Sequence, residues 1–276
     1  MSTEFAKRLV IISNRLPFLI EKTKGKWKII PGAGGLVTAL APVLRDRGGL
    51  WIGWLGTSSS EDLSEHLLTA SKTAGFSMLP VILSQEEIEL YYKGLSNEVI
   101  WPLFHDMPSY CRFDRKYWDA YLEVNARFAS VISKNTSPDD FIWVHDYHLI
   151  CVASELRKLG LKHKTGFFLH IPFPSLDIFI KLPWRSEFLR ALLDYDLIGF
   201  QTIRDRRNFI QCIRQFLKGA SVKGKGQVVS VRFEGREIRL GYFPISIDYD
   251  EFSKLAKSKQ VADCLLYTSP SPRDRS

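Results

Sequence analysis

The chain has 276 residues, of which 45% are hydrophobic and 25% are charged, as in an ordinary globular protein. Its 38 Lys and Arg against 30 Asp and Glu give a formal charge of +8, but these basic residues are dispersed, which argues against nucleic acid and favours phosphate-bearing small molecules. No apolar run reaches membrane-span length, and four scattered cysteines without a CxxC pair are typical of a reduced cytoplasmic protein.

In chain order, the sequence predicts strands that alternate with helices. A strand over 8–15 precedes a hairpin around the KGK turn at 24–26, and then a helix that Gly34–Gly35 opens and Gly48–Gly49 closes. A strand over 50–56, a Ser-capped helix in SEDLSEHLLTASKTAG, a strand at MLPVIL and a capped helix over 84–104 are predicted next. In the rest of the chain, helices are predicted over 115–134, 149–160, 186–194 and 204–219, and strands over 141–145, 165–170 and 196–201. An exposed loop over 218–227 and a β-hairpin over 227–243 complete the predicted elements. This alternation implies βαβ units and a mostly parallel sheet.

Four of the apolar runs stop abruptly at polar residues, as strands buried on both faces do. They are RLVIISNR (8–15), DDFIWVHDYH (139–148), KTGFFLHIPFP (164–174) and DYDLIGFQT (194–202). The polar residues at these ends are Arg15, His145, Asp146, His148, His170 and Gln201. Because ligands of open parallel sheets bind beyond the carboxyl ends of the strands, we predict one composite active site there.

Two features predict phosphate binding. The pair Gly34–Gly35 leaves backbone N–H groups and the positive end of a helix dipole open to a phosphate, although a helix-entry turn without a ligand is an equal alternative, since the complete nucleotide fingerprints are lacking. Arg15 directly follows a buried strand, where a guanidinium can bind a phosphate through two hydrogen bonds; a solvated loop arginine is the alternative.

The HDYH segment (145–148) contains residue types that bind metals. Because successive strand residues face opposite sides, we expect no convergence on one ion and favour an Asp146 carboxylate that accepts hydrogen bonds from a substrate. His170 is either a core histidine with both nitrogens paired or a site residue, and its place at a strand end favours the site. Several aromatic residues are either core residues or faces that bind a sugar: Trp51, Trp54, Tyr91, Tyr92 and Trp101.

Eight motifs between residues 8 and 252 follow the order found in one enzyme family. They are SNRLP, GAGGL, LWIGWLG, LYYKGLSNEVIWPLFH, WDAYLEVNARFA, FIWVHDYHL, GFFLHIPFP and LIGFQT. This series resembles the trehalose-6-phosphate synthases. The resemblance implies an α/β fold with a Rossmann-like, mostly parallel sheet, the N-terminal acceptor domain of a GT-B glycosyltransferase. It also implies retaining transfer of glucose from UDP-glucose to glucose 6-phosphate, without a metal or another cofactor.

The resemblance assigns substrate-binding roles motif by motif. Arg15 in SNR is similar to the arginine that binds the acceptor phosphate, and Tyr92 in LYYKG to the acceptor-binding tyrosine. Trp54 and Gln201 are expected on the same side. The pair Gly34–Gly35 resembles the loop that approaches the phosphates of the donor nucleotide.

Further residues are assigned to the chemistry. Asp146 resembles the carboxylate that holds a sugar hydroxyl, and His170 the histidine at the reacting glucosyl unit, so both are predicted catalytic residues. Trp101 and Ile171 match positions linked to anomer selectivity. Two alternatives stay open: a transferase with another acceptor, such as glycerol phosphate or a pseudo-sugar phosphate, and a non-catalytic sugar-phosphate sensor. The presence of Arg15, Asp146 and His170 together argues against the sensor.

The end of the chain departs from the family pattern. We expect residues 1–248 to form the acceptor domain, 249–263 to begin the crossover to a donor domain, and 264–276 to be a foreign tail that resembles translated sequencing adapter. The family's basic pair and acidic region for the donor are missing, so we expect the natural protein to continue. Its expected partners are UDP-glucose and glucose 6-phosphate, and a homo-oligomer of the full-length protein stays open.

Overall fold

The computed structural model describes residues 8–23, 26–32, 34–58, 64–245 and 249–267. It divides the chain into two compact units, residues 1–243 and residues 244–276. Within the described ranges, no helix combines the length and the apolar character needed to cross a lipid bilayer. The second unit contains helices α10 (Tyr249–Ala256) and α11 (Lys259–Tyr267), and the rest of the predicted tail, residues 268–276, lies outside the described residues.

A nine-stranded sheet forms the centre of the first unit. Its strands are β1 (Leu9–Arg15), β4 (Gly49–Trp54), β5 (Ser77–Val81), β6 (Phe141–His145), β7 (Lys164–Leu169), β8 (Leu197–Phe200), β9 (Ser221–Lys223), β10 (Val228–Phe233) and β11 (Arg236–Tyr242). They lie in the order β5-β4-β1-β6-β7-β8-β11-β10-β9. Pairing is parallel from β5 to β11 and antiparallel for β10 and β9, so the predicted α/β fold with a mostly parallel sheet is confirmed.

Helices connect the strands of this sheet. They are α1 (Gly35–Arg47), α2 (Ser64–Ala74), α3 (Gln85–Glu87), α4 (Trp101–Phe104), α5 (Arg115–Asn135), α6 (Val152–Lys158), α7 (Leu176–Phe179), α8 (Arg185–Leu193) and α9 (Ile203–Phe216). The predicted cap at Ser84 is confirmed: its hydroxyl accepts from the Glu87 N–H, and the Glu87 carboxylate accepts from the Ser84 N–H. Between α3 and α4 the chain forms a π-helix, Ile88–Ile100, a rare geometry that the sequence pattern does not reveal.

The sheet order explains where polar strand ends meet. β1 lies between β4 and β6, and Val10, Ile11 and Ile12 on it are fully buried, as expected for a strand covered on both faces. In register, Ile12 pairs with Val144 on β6, and His145 pairs with Phe168 on β7. The carboxyl ends of β4, β1, β6 and β7 therefore lie side by side on one edge of the sheet.

Two local predictions are wrong. The segment 218–227 is not only a loop, because β9 adds to the sheet by pairing Val222 with Val231 on β10. The helix predicted over 149–160 begins later: Tyr147–Leu149 forms a 3₁₀ turn and α6 starts at Val152. The predicted N-terminal hairpin is confirmed as β2 (Phe18–Thr23) paired with β3 (Lys26–Pro31); its turn at 24–25 lies outside the described residues, as does the Ser cap predicted before α2.

Candidate active site

Two adjoining cavities open at this carboxyl edge. One, of about 320 Å³, is lined by the end of β1, by residues 145–148 at the end of β6 and just beyond it, and by Leu36 and Val37 of α1. The other, of about 340 Å³, is lined by Trp54, by residues 56–58 after β4 and by the start of the helical segment 85–93. Arg15 and Tyr92 line both cavities, so these two residues mark the place where the cavities meet.

The Arg15 guanidinium lies against two aromatic rings. Its Cζ atom is 4.8 Å from the centroid of the Trp54 ring and 5.3 Å from that of Tyr92. Trp54 is buried and its indole N–H donates to the Thr57 carbonyl at 2.9 Å, so the ring is a fixed support for the cation. No carboxylate of the described residues forms an ion pair with Arg15. We call Arg15, Trp54 and Tyr92 the arginine clamp.

Glycine is required beside this clamp. Gly56 has φ +87°, and a Cβ atom there would lie 3.2 Å from a guanidinium nitrogen of Arg15. Since side chains rarely adopt that backbone conformation, a substitution would strain the loop and press on the cation. The loop after β4 thus limits where the Arg15 side chain can go.

His148, predicted from the sequence as a strand-end residue of the composite site and as a possible metal ligand, packs against Tyr92 of the clamp. Its ring stacks on Tyr92, with centroids 5.8 Å apart and an interplanar angle of 18°, and on Tyr147, with centroids 4.0 Å apart. Burial, assisted by the nearby Arg15 charge, lowers the pKa of His148 to about 3. The ring is therefore neutral at pH 7 and packs beside the guanidinium without repelling it.

Asp146 occupies a strained backbone position directly after β6. Its φ of 72° is unusual for a residue with a side chain, and such strain is concentrated at functional sites. The backbone N–H groups of Tyr147 and His170 donate to its Oδ1 atom at 3.0 and 3.3 Å, while Oδ2 accepts no hydrogen bond from the described residues. Burial raises the pKa of Asp146 to about 6, although these hydrogen bonds oppose the rise. Above pH 6 the site holds a carboxylate with a free oxygen.

The side chains of the HDYH segment do not alternate as predicted for a strand, because β6 ends at His145 and the chain turns at Asp146. Asp146 and His148 are therefore not on a strand at all. Within the described residues, no group of three or more His, Cys, Asp and Glu side chains could hold a metal ion.

A pair of histidines joins the ends of β6 and β7. Nδ1 of His145 lies 3.1 Å from Nε2 of His170. His145 is buried, and burial lowers its pKa well below the usual value, with a further contribution from His170. His170 is partly exposed, and burial lowers its pKa to about 4. Both rings are neutral at pH 7.

The predicted glycine pair lies at the N-terminus of α1. A Cβ atom added at Gly34 or Gly35 would meet no atom within 4 Å, whereas one at Gly32 would lie 2.9 Å from the Pro17 carbonyl oxygen. Packing of the described residues therefore requires glycine at Gly32 but not at Gly34 or Gly35, where the open space is available to a ligand. Residue 33 lies outside the described residues.

The structure brings some of the predicted site residues to the cavities and leaves others apart. Arg15, Trp54, Tyr92 and Asp146 line them. The predicted residues that are absent from the described lining of both cavities are His170, Gly34, Gly35, Trp101, Ile171 and Gln201. Trp101 begins α4, is 41% exposed and packs against His105 in a tilted arrangement, with ring centroids 4.2 Å apart.

Acidification is expected to destabilise the first unit. His145, His148 and His170 have folded-state pKa values below the usual 6.5. Between about pH 6.5 and 4, these three histidines therefore bind protons in the unfolded chain but not in the folded chain. The free energy of unfolding consequently decreases as the pH is lowered through this range. Asp146 acts in the opposite direction, because its folded-state pKa of about 6 exceeds its usual value, but it is one group against three. Urea unfolding between pH 7.5 and 4.5 measures the slope, and His148→Phe should reduce it. A free energy of unfolding that increases on acidification would contradict the lowered pKa values of these three histidines.

The sequence profile of glycosyltransferase family 20 matches residues 7–266. Among curated proteins, the chain is 38% identical over 255 residues to the trehalose-6-phosphate synthase of Mycolicibacterium vanbaalenii, and 39% identical over 261 residues to alpha,alpha-trehalose-phosphate synthase (UDP-forming) A of Dictyostelium discoideum. These alignments cover 91% and 94% of this chain but 52% and 34% of the two relatives. The chain thus spans about half the length of the first relative and about a third of the second.

Solved structures agree with the sequence comparison. An alpha,alpha-trehalose-phosphate synthase (UDP-forming) from Burkholderia xenovorans, in complex with glucose-6-phosphate, superposes with a TM-score of 0.77 at 33% identity, covering 93% of this chain and 54% of that one. A trehalose-6-phosphate structure from E. coli, bound with UDP-2-fluoro glucose, superposes with a TM-score of 0.76 at 36% identity, covering 93% and 53%.

Proposed function

The chain belongs to glycosyltransferase family 20, and we propose that it forms the acceptor-binding part of an enzyme that transfers glucose from UDP-glucose to glucose 6-phosphate. The products would be α,α-trehalose 6-phosphate and UDP, with the configuration of the transferred glucose retained. Relatives solved with glucose-6-phosphate and with UDP-2-fluoro glucose support both substrates. The observation that carries the proposal is the arginine clamp.

The clamp has the properties of a phosphate site. A guanidinium offers paired N–H donors that match two phosphate oxygens, and it is less strongly hydrated than an ammonium. At Arg15 this group lies against two rings and lacks a carboxylate partner among the described residues, so its charge is available to an anion. We place the phosphate of glucose 6-phosphate there, with Tyr92 and Trp54 fixing the arginine and the sugar extending toward Asp146.

Asp146 and His170 would act on the sugars by position and electrostatics. Retaining transfer develops positive charge on the glucosyl unit, so a fixed carboxylate stabilises the transition state, while fixed hydrogen-bond donors hold the sugar oxygens in position. Oδ2 of Asp146 is available to a sugar hydroxyl, and the backbone N–H of His170 donates to the other carboxylate oxygen. Trp101 and Ile171 stay proposals for anomer selectivity, and Gln201 for substrate binding.

The glycine pair is proposed to bind the donor phosphates, and one substitution separates this role from folding. Gly35→Ala should leave the free energy of unfolding unchanged or slightly higher, because the added methyl group meets no atom and alanine is the better helix former. In the whole transferase the same methyl group should hinder a diphosphate that approaches the backbone, raising the KM for UDP-glucose more than that for glucose 6-phosphate.

The matched control for this prediction is Gly32→Ala, which should destabilise the chain by contact with the Pro17 carbonyl. Chemical unfolding and steady-state kinetics are the two measurements. Equal KM values for UDP-glucose in Gly35→Ala and the unmodified enzyme would show that Gly34–Gly35 does not bind the donor phosphates.

Calorimetric titration of this chain tests the proposed acceptor. Glucose 6-phosphate is expected to bind more tightly than glucose, because only the phosphorylated sugar can form charge-assisted hydrogen bonds with Arg15. It is also expected to bind more tightly than glycerol 3-phosphate, which has the phosphate but no ring to contact Asp146. Equal affinity for glucose and glucose 6-phosphate would refute the phosphate site. A preference for glycerol 3-phosphate would indicate the alternative acceptor instead.

A further inference from the structure

The geometry of the His145–His170 pair indicates which nitrogen of each ring carries the proton. A neutral imidazole carries one proton, and the nitrogen that holds it is set by the hydrogen bonds of the ring. Since Nδ1 of His145 lies 3.1 Å from Nε2 of His170, one of these two nitrogens donates and the other accepts. The choice decides which nitrogen of His170 carries the proton.

The other nitrogen of His145 distinguishes the two arrangements. Nε2 of His145 is buried and has no hydrogen-bond partner among the described residues. If His170 donated, Nδ1 of His145 would be the bare acceptor and the proton of His145 would sit on Nε2, as a buried N–H without an acceptor. Orphaned buried N–H groups are rare in folded proteins, because the donor loses its hydrogen bond to water and gains nothing. If His145 donates from Nδ1, only a bare ring nitrogen is left without a partner.

We propose that His145 is a positioning residue for His170: its Nδ1–H donates to Nε2 of His170 and thereby places the single proton of His170 on Nδ1. His145 itself is fixed by β6, where it pairs with Phe168 of β7, and by the ring of Trp143, whose centroid lies 4.6 Å from its own. The low pKa values of both rings agree with this arrangement, because each must be neutral for one to accept.

The consequence is a defined donor at the end of β7. His170 is partly exposed, and its Nδ1 atom makes no hydrogen bond within the described part of the chain, so Nδ1–H is available to an oxygen of a bound sugar. A free imidazole would present either a donor or an acceptor at this position. The importance of this donor for glucosyl transfer rests on the proposed function, whereas the tautomer itself does not.

Nitrogen NMR of the histidine side chains tests the proposal on this chain, without any ligand. The chain has six histidines, so ¹⁵N labelling of the rings gives a small set of signals, and the loss of one set in His170→Gln assigns His170. At pH 7.5 we expect His170 to be neutral with its proton on Nδ1. A proton on Nε2, or a charged ring, would overturn the proposal whether or not any variant folds.

Substitutions of His145 supply the second comparison. His145→Phe keeps a ring but removes the donor, so His170 should lose its tautomer preference; an unchanged preference would overturn the proposal. His145→Asn keeps an N–H donor near the position of Nδ1 and should retain the preference, and its loss there would show that the ring and not the donor sets the tautomer. His66→Phe, on α2 against the edge strand β5, is the control and should change nothing at His170. Because no substrate is present, these results stand or fall separately from the proposed activity.

Discussion

Arg15→Ala is expected to raise the Kd of this chain for glucose 6-phosphate by roughly 10- to 150-fold, the value of a hydrogen bond to a charged group. The phosphate would lose both its counter-charge and the paired donors that the clamp holds in place. Arg15→Lys should recover only part of the affinity, because an ammonium keeps the charge but lacks the planar donor pair and stacks less well on Trp54 and Tyr92. Calorimetric titration of the unmodified chain, Arg15→Ala and Arg15→Lys with glucose 6-phosphate measures the three Kd values.

A matched control removes the same charge elsewhere. Arg115 on α5 has a side chain that is 75% exposed and forms a surface ion pair with Asp119, so Arg115→Ala should change neither stability nor the Kd by a measurable amount. The affinity for unphosphorylated glucose should be the same in all four proteins. An Arg15→Ala variant that binds glucose 6-phosphate as tightly as the unmodified chain would show that the phosphate lies elsewhere.

In the whole transferase, Asp146→Asn is expected to lower kcat by about 100-fold or more, the effect of removing one fixed electrostatic group from a transition state. Asparagine has the same shape and its amide oxygen can still accept from the Tyr147 and His170 N–H groups, so the turn after β6 should persist. The free energy of unfolding should therefore not fall, since the variant also removes a buried charge.

The pH dependence provides an independent check on this role of Asp146. Because burial raises its pKa to about 6, kcat should decline as the pH falls through 6 and the carboxylate is protonated. This acidic limb should be missing from the residual activity of Asp146→Asn. Asp119→Asn, at an exposed position on α5, is the control. Full activity of Asp146→Asn, or a decline of its kcat below pH 6 like that of the unmodified enzyme, would show that Asp146 has only a structural role.

The strand ends were predictable from sequence because their signal is local. β1, β6 and β7 each contain a run of mostly buried apolar residues that leads to a polar residue at the carboxyl end, so the sequence alone places Arg15, His145 and His170 at one edge. The cap at Ser84 was predictable for the same reason, since it depends on two residues three positions apart.

The contacts that complete the site were not predictable, because they join residues distant in sequence. Stacking of His148 on Tyr92 and support of Arg15 by Trp54 depend on β4, β1 and β6 lying side by side, and on the direction in which the π-helix Ile88–Ile100 presents Tyr92. The positive φ of Asp146 was not predictable either, because residues with a side chain adopt this backbone conformation only rarely.

The crystal structure of this chain with glucose 6-phosphate would test the central claim most directly. We predict that the phosphate lies where the two cavities meet, within hydrogen-bonding distance of the Arg15 guanidinium, with a sugar hydroxyl on Oδ2 of Asp146. A phosphate bound instead at Gly34–Gly35, with Arg15 making no contact to it, would contradict the assignment of this edge of the sheet to the acceptor.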